Sequence, residues 1–290
     1  AITPSIEVDK KSFSFDLVPS SMIDRMLIFK SGTADLPGEF AGGVIRIYTK
    51  SIPDEDFVSV SLSTGVRSGT TFKNFTSNTS GGTEALGFDN GDRKLPTSFP
   101  KRVSTSTDPE LVKQLPNNWS NTTKMALPDL RANVSLGKKF TLAKMQASNL
   151  TSINYSNTHT AYTPTRNRYN QFDAAEGKSL KQFEYNDQFN SNEVRIGILS
   201  NFNVVVNNKT RLDFRNLFSQ QGANETTLRN GFDYASGNEL QNYAYRYEQR
   251  SIYSGQLSGT HNTSDRDELK WTAGYNRTHR EEPDFRRARS

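Results

Sequence analysis

The sequence predicts a mainly β chain: part of a large antiparallel transmembrane β-barrel, preceded by a small α+β segment at the N-terminus. Three observations lead there. Apolar and polar residues alternate with a period of two over six stretches from residue 57 onward. The connections between those stretches alternate between long and short, the pattern of a barrel with short turns at one rim and long loops at the other. The polar positions carry mixed rows of Arg with Asp or Glu, which cannot face lipid without a cost of about 2–4 kcal/mol per midplane Arg or Lys.

The N-terminal segment, residues 1–52, is organised by the run from Asp16 to Lys50. Ser21-x-x-Asp24 reads as a capped one-turn helix, with Pro19 just before it where a missing N–H is harmless. Met26 to Lys30 and Val44 to Thr49 read as short strands, with Leu27, Phe29, Val44, Ile45 and Ile47 as a buried core. Pro37-Gly38 bends the intervening loop, and Gly42-Gly43 turns the chain into the second strand. A polar linker, Ser51 to Asp56, with Pro53 in it, marks the boundary with the second unit, residues 53–290.

In that second unit Val58, Val60 and Leu62 alternate with serines, and Leu130, Ala132, Val134 and Leu136 alternate with Arg131, Asn133 and Ser135. Lys144 to Tyr155 is less regular and is assigned from its neighbours. Val194, Ile196, Ile198, Phe202 and Val204 oppose Glu193, Arg195, Asn201 and Asn203. Leu212, Phe214 and Phe218 oppose Arg211, Asp213 and Arg215, and Tyr243, Tyr245, Tyr247, Tyr253 and Leu257 oppose Arg246, Glu248, Arg250 and Gln256. Leu269, Trp271, Ala273 and Tyr275 oppose Lys270, Thr272 and Asn276. Long connections are expected over 70–128, 156–190 and 220–241; tight turns are expected at Gly137-Lys138-Lys139, Asn207-Asn208-Lys209 and Thr263 to Asp267. The charged rows are expected in a lumen, and Phe214, Tyr245, Trp271 and Tyr275 outward, the aromatics as girdles at the bilayer edges.

Composition removes several function classes. The chain has no cysteine, hence no disulfide, thiolate nucleophile or cysteine metal site. His159, His261 and His279 lack a second ligand at metal spacing, and Asp89-Asn90-Gly91-Asp92 reads as a turn rather than a calcium loop. No nucleophile elbow, phosphate loop or dinucleotide fingerprint occurs, so neither an enzyme nor a cofactor is expected. The net charge of +5 is spread over interleaved acids and bases, which argues against nucleic acid. A soluble sandwich would mix long and short connections at both ends, and a soluble all-β carbohydrate-binding module would stay monomeric without detergent.

The run Asp16-Leu17-Val18-Pro19, Ile23-Asp24-Arg25, Lys30, Asp35 to Gly43 and Ile47-Tyr48-Thr49-Lys50 resembles the C-terminal half of the plug domain of TonB-dependent outer-membrane receptors. The likeness is closest to the Bacteroidota type that often carries a carboxypeptidase-regulatory-like domain upstream. Gly87 to Pro96, Asn118-Trp119, Pro128 and Ser135-Leu136-Gly137 resemble the first outer loop and second strand of the same receptors. The resemblance makes Asp16, Pro19, Lys30, Pro37, Gly38, Gly42, Gly43 and Thr49 the plug motif, and makes residues 53–290 the first seven or so barrel strands. The chain then reads as a piece of a longer polypeptide, with the TonB box, the first half of the plug and most of the barrel elsewhere. The implied function is energised uptake of an extracellular nutrient across the outer membrane of a Gram-negative bacterium. The implied partners are outer-membrane lipid, the ligand, and the inner-membrane TonB complex acting through a segment not in this chain. A surface lipoprotein lid is common among related receptors, though no residue here points to one. The alternative is a non-transporting structural or adhesive surface barrel. Ligand contacts are expected in the long loops, with Phe88, Asp89, Trp119, Tyr162 and Tyr169 as candidates.

Overall fold

The computed structural model describes residues 23–31, 44–49, 53, 55–78, 81–100, 102, 109–115, 118–264 and 266–290. Twelve strands are described. A two-stranded ribbon joins β1 (Ile23–Phe29) to β2 (Val44–Thr49), antiparallel. Seven strands form one antiparallel path: β3 (Phe57–Gly65), β6 (Asp129–Leu142), β7 (Met145–Tyr162), β9 (Lys178–Asn207), β10 (Thr210–Asp233), β11 (Asn238–Asn262) and β12 (Glu268–Arg289). They lie side by side in chain order, with β8 (Thr165–Asp173) pairing the start of β9 beyond the end of β7. Between β3 and β6 an excursion carries a second ribbon, β4 (Asn74–Asn78) and β5 (Asn121–Met125), and two short 3-10 helices, Gly82–Leu86 and Pro109–Gln114. Among the described residues β3 and β12 are the edges of an open sheet.

Four expectations need correction. The capped helical turn does not form at its described residues: Ile23 pairs with Thr49 and Arg25 with Tyr48 in β1. Guanidinium–ring contacts brace this ladder, with Arg25 4.6 Å over Tyr48 and Arg46 5.0 Å over Phe29. The ribbon core is not buried either, since Leu27 and Ile45 are exposed and Phe29, Val44 and Ile47 are half-buried. A two-stranded ribbon has no second layer of its own to cover either face.

The third correction concerns Gly137-Lys138-Lys139, which lies within β6. Gly137 is there because the Phe57 ring takes the space of its side chain: a Cβ would stand 2.3 Å from a ring carbon. The turn falls at Ala143-Lys144, both with positive φ (46° and 70°), the backbone a two-residue hairpin needs.

The fourth is the largest. Residues 156–190 and 220–241 are continued strands, not loops, so that β9, β10 and β11 run for 30, 24 and 25 residues. Two matching turns close the extensions, Phe172-Asp173-Ala174-Ala175-Glu176-Gly177 and Phe232-Asp233-Tyr234-Ala235-Ser236-Gly237. In each, the Asp side chain accepts from the backbone N–H groups two and three residues on, and the Gly has φ near 65–71°. The other three turns, at 143–144, 208–209 and 263–267, share the opposite end of the sheet.

Candidate functional site

Strand register sorts every side chain onto one of two faces. On the front face one rung reads Val60, Val134, Ile153, Ile198, Phe218 and Tyr253 from β3 to β11. Below it come Val58, Leu136, Phe202, Phe214, Leu257, Trp271 and Tyr275. The back face at the same level carries Asn133, Ser135, Ser152, Asn154, Asn201, Asn203 and Asp213. Exposure is inverted relative to a water-soluble sheet. Asn201 and Ser219 are 1% and 2% exposed, whereas Phe214 and Tyr275 are 45% and 62% exposed. Many back-face polar groups bond to one another, as in the bonds from Asn133 Nδ2 to Asn154 Oδ1 (2.7 Å) and from Asn203 Nδ2 to Asp213 Oδ1 (2.8 Å), and Leu150, Leu199 and Ile252 are buried among them. An exposed apolar band that crosses a whole sheet marks a surface made for something other than water.

The band has a definite height. On β10 it spans from Thr210, next to the turn, to Phe218, after which the front face becomes Gln220, Gly222, Asn224 and Thr226. That is about the 9–11 residues a tilted strand needs to cross a bilayer core. Tyr155 stands at its upper limit, its hydroxyl donating to the Ala85 carbonyl at 3.0 Å. Register puts Arg211, Asp213, Arg246 and Glu248 on the back face and Phe214, Trp271 and Tyr275 on the front. Tyr245 is also on the front face but is corrected in place: it is 1% exposed, beneath the excursion rather than at an open edge.

Above the band, the excursion is fastened to the front face. The N–H of Asn78 donates to Thr226 Oγ1 (3.0 Å), Gln220 Nε2 to the Gly87 carbonyl (2.6 Å), and Asn224 Nδ2 to Glu84 Oε2 (3.0 Å). Gly87, with φ +79°, meets Gly222 backbone to backbone: a Cβ on Gly222 would lie 2.7 Å from the Gly87 Cα. Arg93 holds the centre. Its guanidinium lies 2.5 Å from Glu84, 3.0 Å from Asp89 and 3.9 Å from Asp284, and 4.6 Å over the Tyr247 ring. Burial pushes the Tyr247 hydroxyl above its ordinary range. Farther along, Arg286 stacks over Trp119 (5.3 Å) and donates to the Asn118 carbonyl (2.7 Å), while the Tyr245 hydroxyl donates to the Trp119 carbonyl (3.2 Å).

The back face above the band carries ionic rungs. Arg195, Arg250 and Arg280 share one rung, and Glu193 and Glu248 share the next. Glu248 is held by Arg246 (2.5 Å), Arg280 (2.9 Å) and Arg250. Burial opposes its charge, yet these hydrogen bonds keep the carboxyl below the usual range. Higher still, Asp187 accepts two bonds from Arg229 (2.7 and 2.8 Å) and one from Arg166 (2.9 Å). Hydrogen bonding from Arg229 is the main cause that holds the Asp187 carboxyl low. Aromatic pairs flank this cluster: Phe183 stacks on Tyr185 at 4.4 Å, Tyr162 meets Phe189 at 4.8 Å, and Arg229 lies 5.0 Å over Tyr185. Flat rings beside fixed guanidiniums and carboxylates suit a polar ligand with apolar faces.

The candidates from sequence are therefore scattered. Asp89 is buried against Arg93, and Phe88 beside it is 39% exposed. Trp119 is half taken up by Arg286 and Tyr245. Tyr162 lies by Phe189 near the aromatic cluster, and Tyr169 lines a cleft of about 740 Å3 with Arg168 and Phe172. Of the plug motif, Lys30 is exposed after β1 and Thr49 ends β2; Asp16, Pro19, Pro37, Gly38, Gly42 and Gly43 lie outside the described residues. Sequence reasoning missed Arg93, Gly222, Asp187 and Arg229. The repeated Phe-Asp-x-Ala-x-Gly turn was the available signal for the hairpins that carry the last two. Among the described residues no group of His, Asp or Glu is arranged to hold a metal ion. The chain matches no protein-family profile, no curated protein and no solved structure.

Proposed function

We propose that this chain forms part of the wall of an outer-membrane β-barrel receptor that takes up an extracellular nutrient by energised, plug-gated transport. The observation that carries the barrel reading is the exposed apolar band, one bilayer core in height, backed by a largely polar face, many of whose groups bond to one another. The transport reading rests on the resemblance of residues 16–50 and 87–96 to TonB-dependent receptors. In this reading the β1–β2 ribbon belongs to the plug, the ionic rungs line the lumen, and ligand meets the aromatic cluster around Asp187.

Two measurements on the intact gene product test the two halves separately. An outer-membrane barrel should fractionate with that membrane and run faster on a gel before boiling than after it. A transporter should, in addition, give uptake of one member of a panel of siderophores, glycans, peptides and cobalamin that a protonophore abolishes. Barrel behaviour without energised uptake of any member would leave the structural or adhesive reading in its place.

A further inference from the structure

We propose that the foot of the first excursion is a membrane-surface anchor. Residues 66–73 and 124–127 rest on the anionic headgroups of the leaflet that borders the top of the apolar band. This inference depends on the barrel reading and adds a lipid contact outside the barrel wall.

Four large apolar side chains are exposed there: Val66 at 74%, Phe72 at 57%, Met125 at 59% and Leu127 at 62%. Single exposed hydrophobics need no explanation, but these are neighbours. The Phe72 N–H donates to the Ala126 carbonyl and the Ala126 N–H to the Lys73 carbonyl, both at 2.9 Å, so the two segments run side by side. Val66 follows Gly65 directly, and Gly65 pairs with Asp129 at the top rung of β3 and β6. Met125, four residues from Asp129, is within about 14 Å of that rung by chain length alone. The patch thus continues the band formed below it by Leu62 and Leu130.

Charge completes the case. Residues 66–83 and 118–128 contain Arg67, Lys73 and Lys124 and no carboxylate. Arg67 is paired with Asp129 at 3.1 Å, whereas Lys73 and Lys124 are exposed and lie next to Phe72 and Met125. Apolar side chains flanked by lysines are the composition of a segment lying in a bilayer interface. The foot is also held rigid for the purpose. Buried Thr70 exchanges hydrogen bonds with both backbone groups of Ala161, at 3.1 and 3.0 Å, on the β7 edge that β6 leaves free.

Residues 1–290 contain no cysteine, so single-cysteine variants of the intact gene product, with any cysteine outside this region replaced by serine, can carry one bimane each. The sites are Val60→Cys in the band, Leu127→Cys and Met125→Cys in the foot, and Ser236→Cys at the far turn, in vesicles of phosphatidylcholine and phosphatidylglycerol. Mid-chain spin-labelled lipid should quench at 60, headgroup-labelled lipid at 125 and 127, and neither at 236. Spin-labelled phosphatidylglycerol should quench the foot at least twofold more than the phosphatidylcholine analogue, and K73Q/K124Q should bring that ratio to one. Quenching at 60 with none at either foot site would overturn the anchor alone. No quenching at 60 would overturn the barrel reading beneath it. A ratio of one in the unsubstituted foot would overturn the preference for anionic headgroups and with it the proposal.

Discussion

The lower and upper halves of β9, β10 and β11 belong to the same strands, yet they solve opposite problems. Below Gln220 the front face shows Ile198, Phe202 and Phe214 to the surroundings and keeps its polar groups behind. Above it the same face carries Asn190, Asn224, Thr226 and Tyr247, all buried beneath the excursion. The ladder is continuous across the change, so backbone hydrogen bonding does not distinguish the halves. What differs is the material each front face meets: in the proposed reading a nonpolar medium below, and a stapled piece of polar protein above.

That contrast predicts different sensitivities. The largest effect is expected above the band. Arg93→Met should free the excursion at a cost of about 3–5 kcal/mol, because Glu84 and Asp89 would stay buried without their cation. Hydrogen exchange should rise over 81–125 while β10 below 219 keeps its protection. Next comes the band. Phe214→Arg should cost about 2–4 kcal/mol of stability in a bilayer, and Gln256→Arg on the back face well under half of that, measured by chemical unfolding from vesicles. Equal costs would erase the distinction between the faces.

A smaller effect is expected for Gly222→Ala, about 1–3 kcal/mol, since the new methyl would crowd the Tyr247 hydroxyl and the Gly87 Cα. It should loosen the excursion without altering the band, which limited proteolysis can report. The smallest concerns acid. The Asp187 carboxyl is depressed in the folded state, so its contribution is full above about pH 4 and is lost as pH falls through the folded value. Amide exchange near 166, 187 and 229 should quicken only in that acid window, and Asp187→Asn should remove the pH dependence.

The same contrast explains what the sequence could and could not disclose. Where a strand has one apolar and one polar face, alternation is plain; this is why the stretches around Val60, Val134, Phe214 and Trp271 are legible. In the extensions the alternation changes phase, with Phe183, Tyr185 and Phe189 on the back face opposite Glu184, Asn186, Gln188 and Asn190, whereas Ile196, Ile198 and Phe202 lie on the front. Few aliphatic residues and many Asn and Gln then read as a loop even though the ladder continues. Gly137 misled for a related reason, because a glycine at a close approach and a glycine in a turn look alike in one dimension. Pairings such as Glu84 with Asn224 join residues 140 positions apart, and no local spacing encodes them.

The central claim is that the front face between the turn at 208–209 and Gln220 faces lipid. Spin labels placed singly from 211 to 228 on β10, in the intact gene product reconstituted in vesicles, test it directly through their accessibility to oxygen and to an aqueous nickel chelate. The account predicts oxygen maxima with nickel minima at 212, 214, 216 and 218, with the even-position oxygen maxima disappearing from 220 onward under the excursion. Nickel access at 214 and 218 equal to that at 213 and 215 would contradict it.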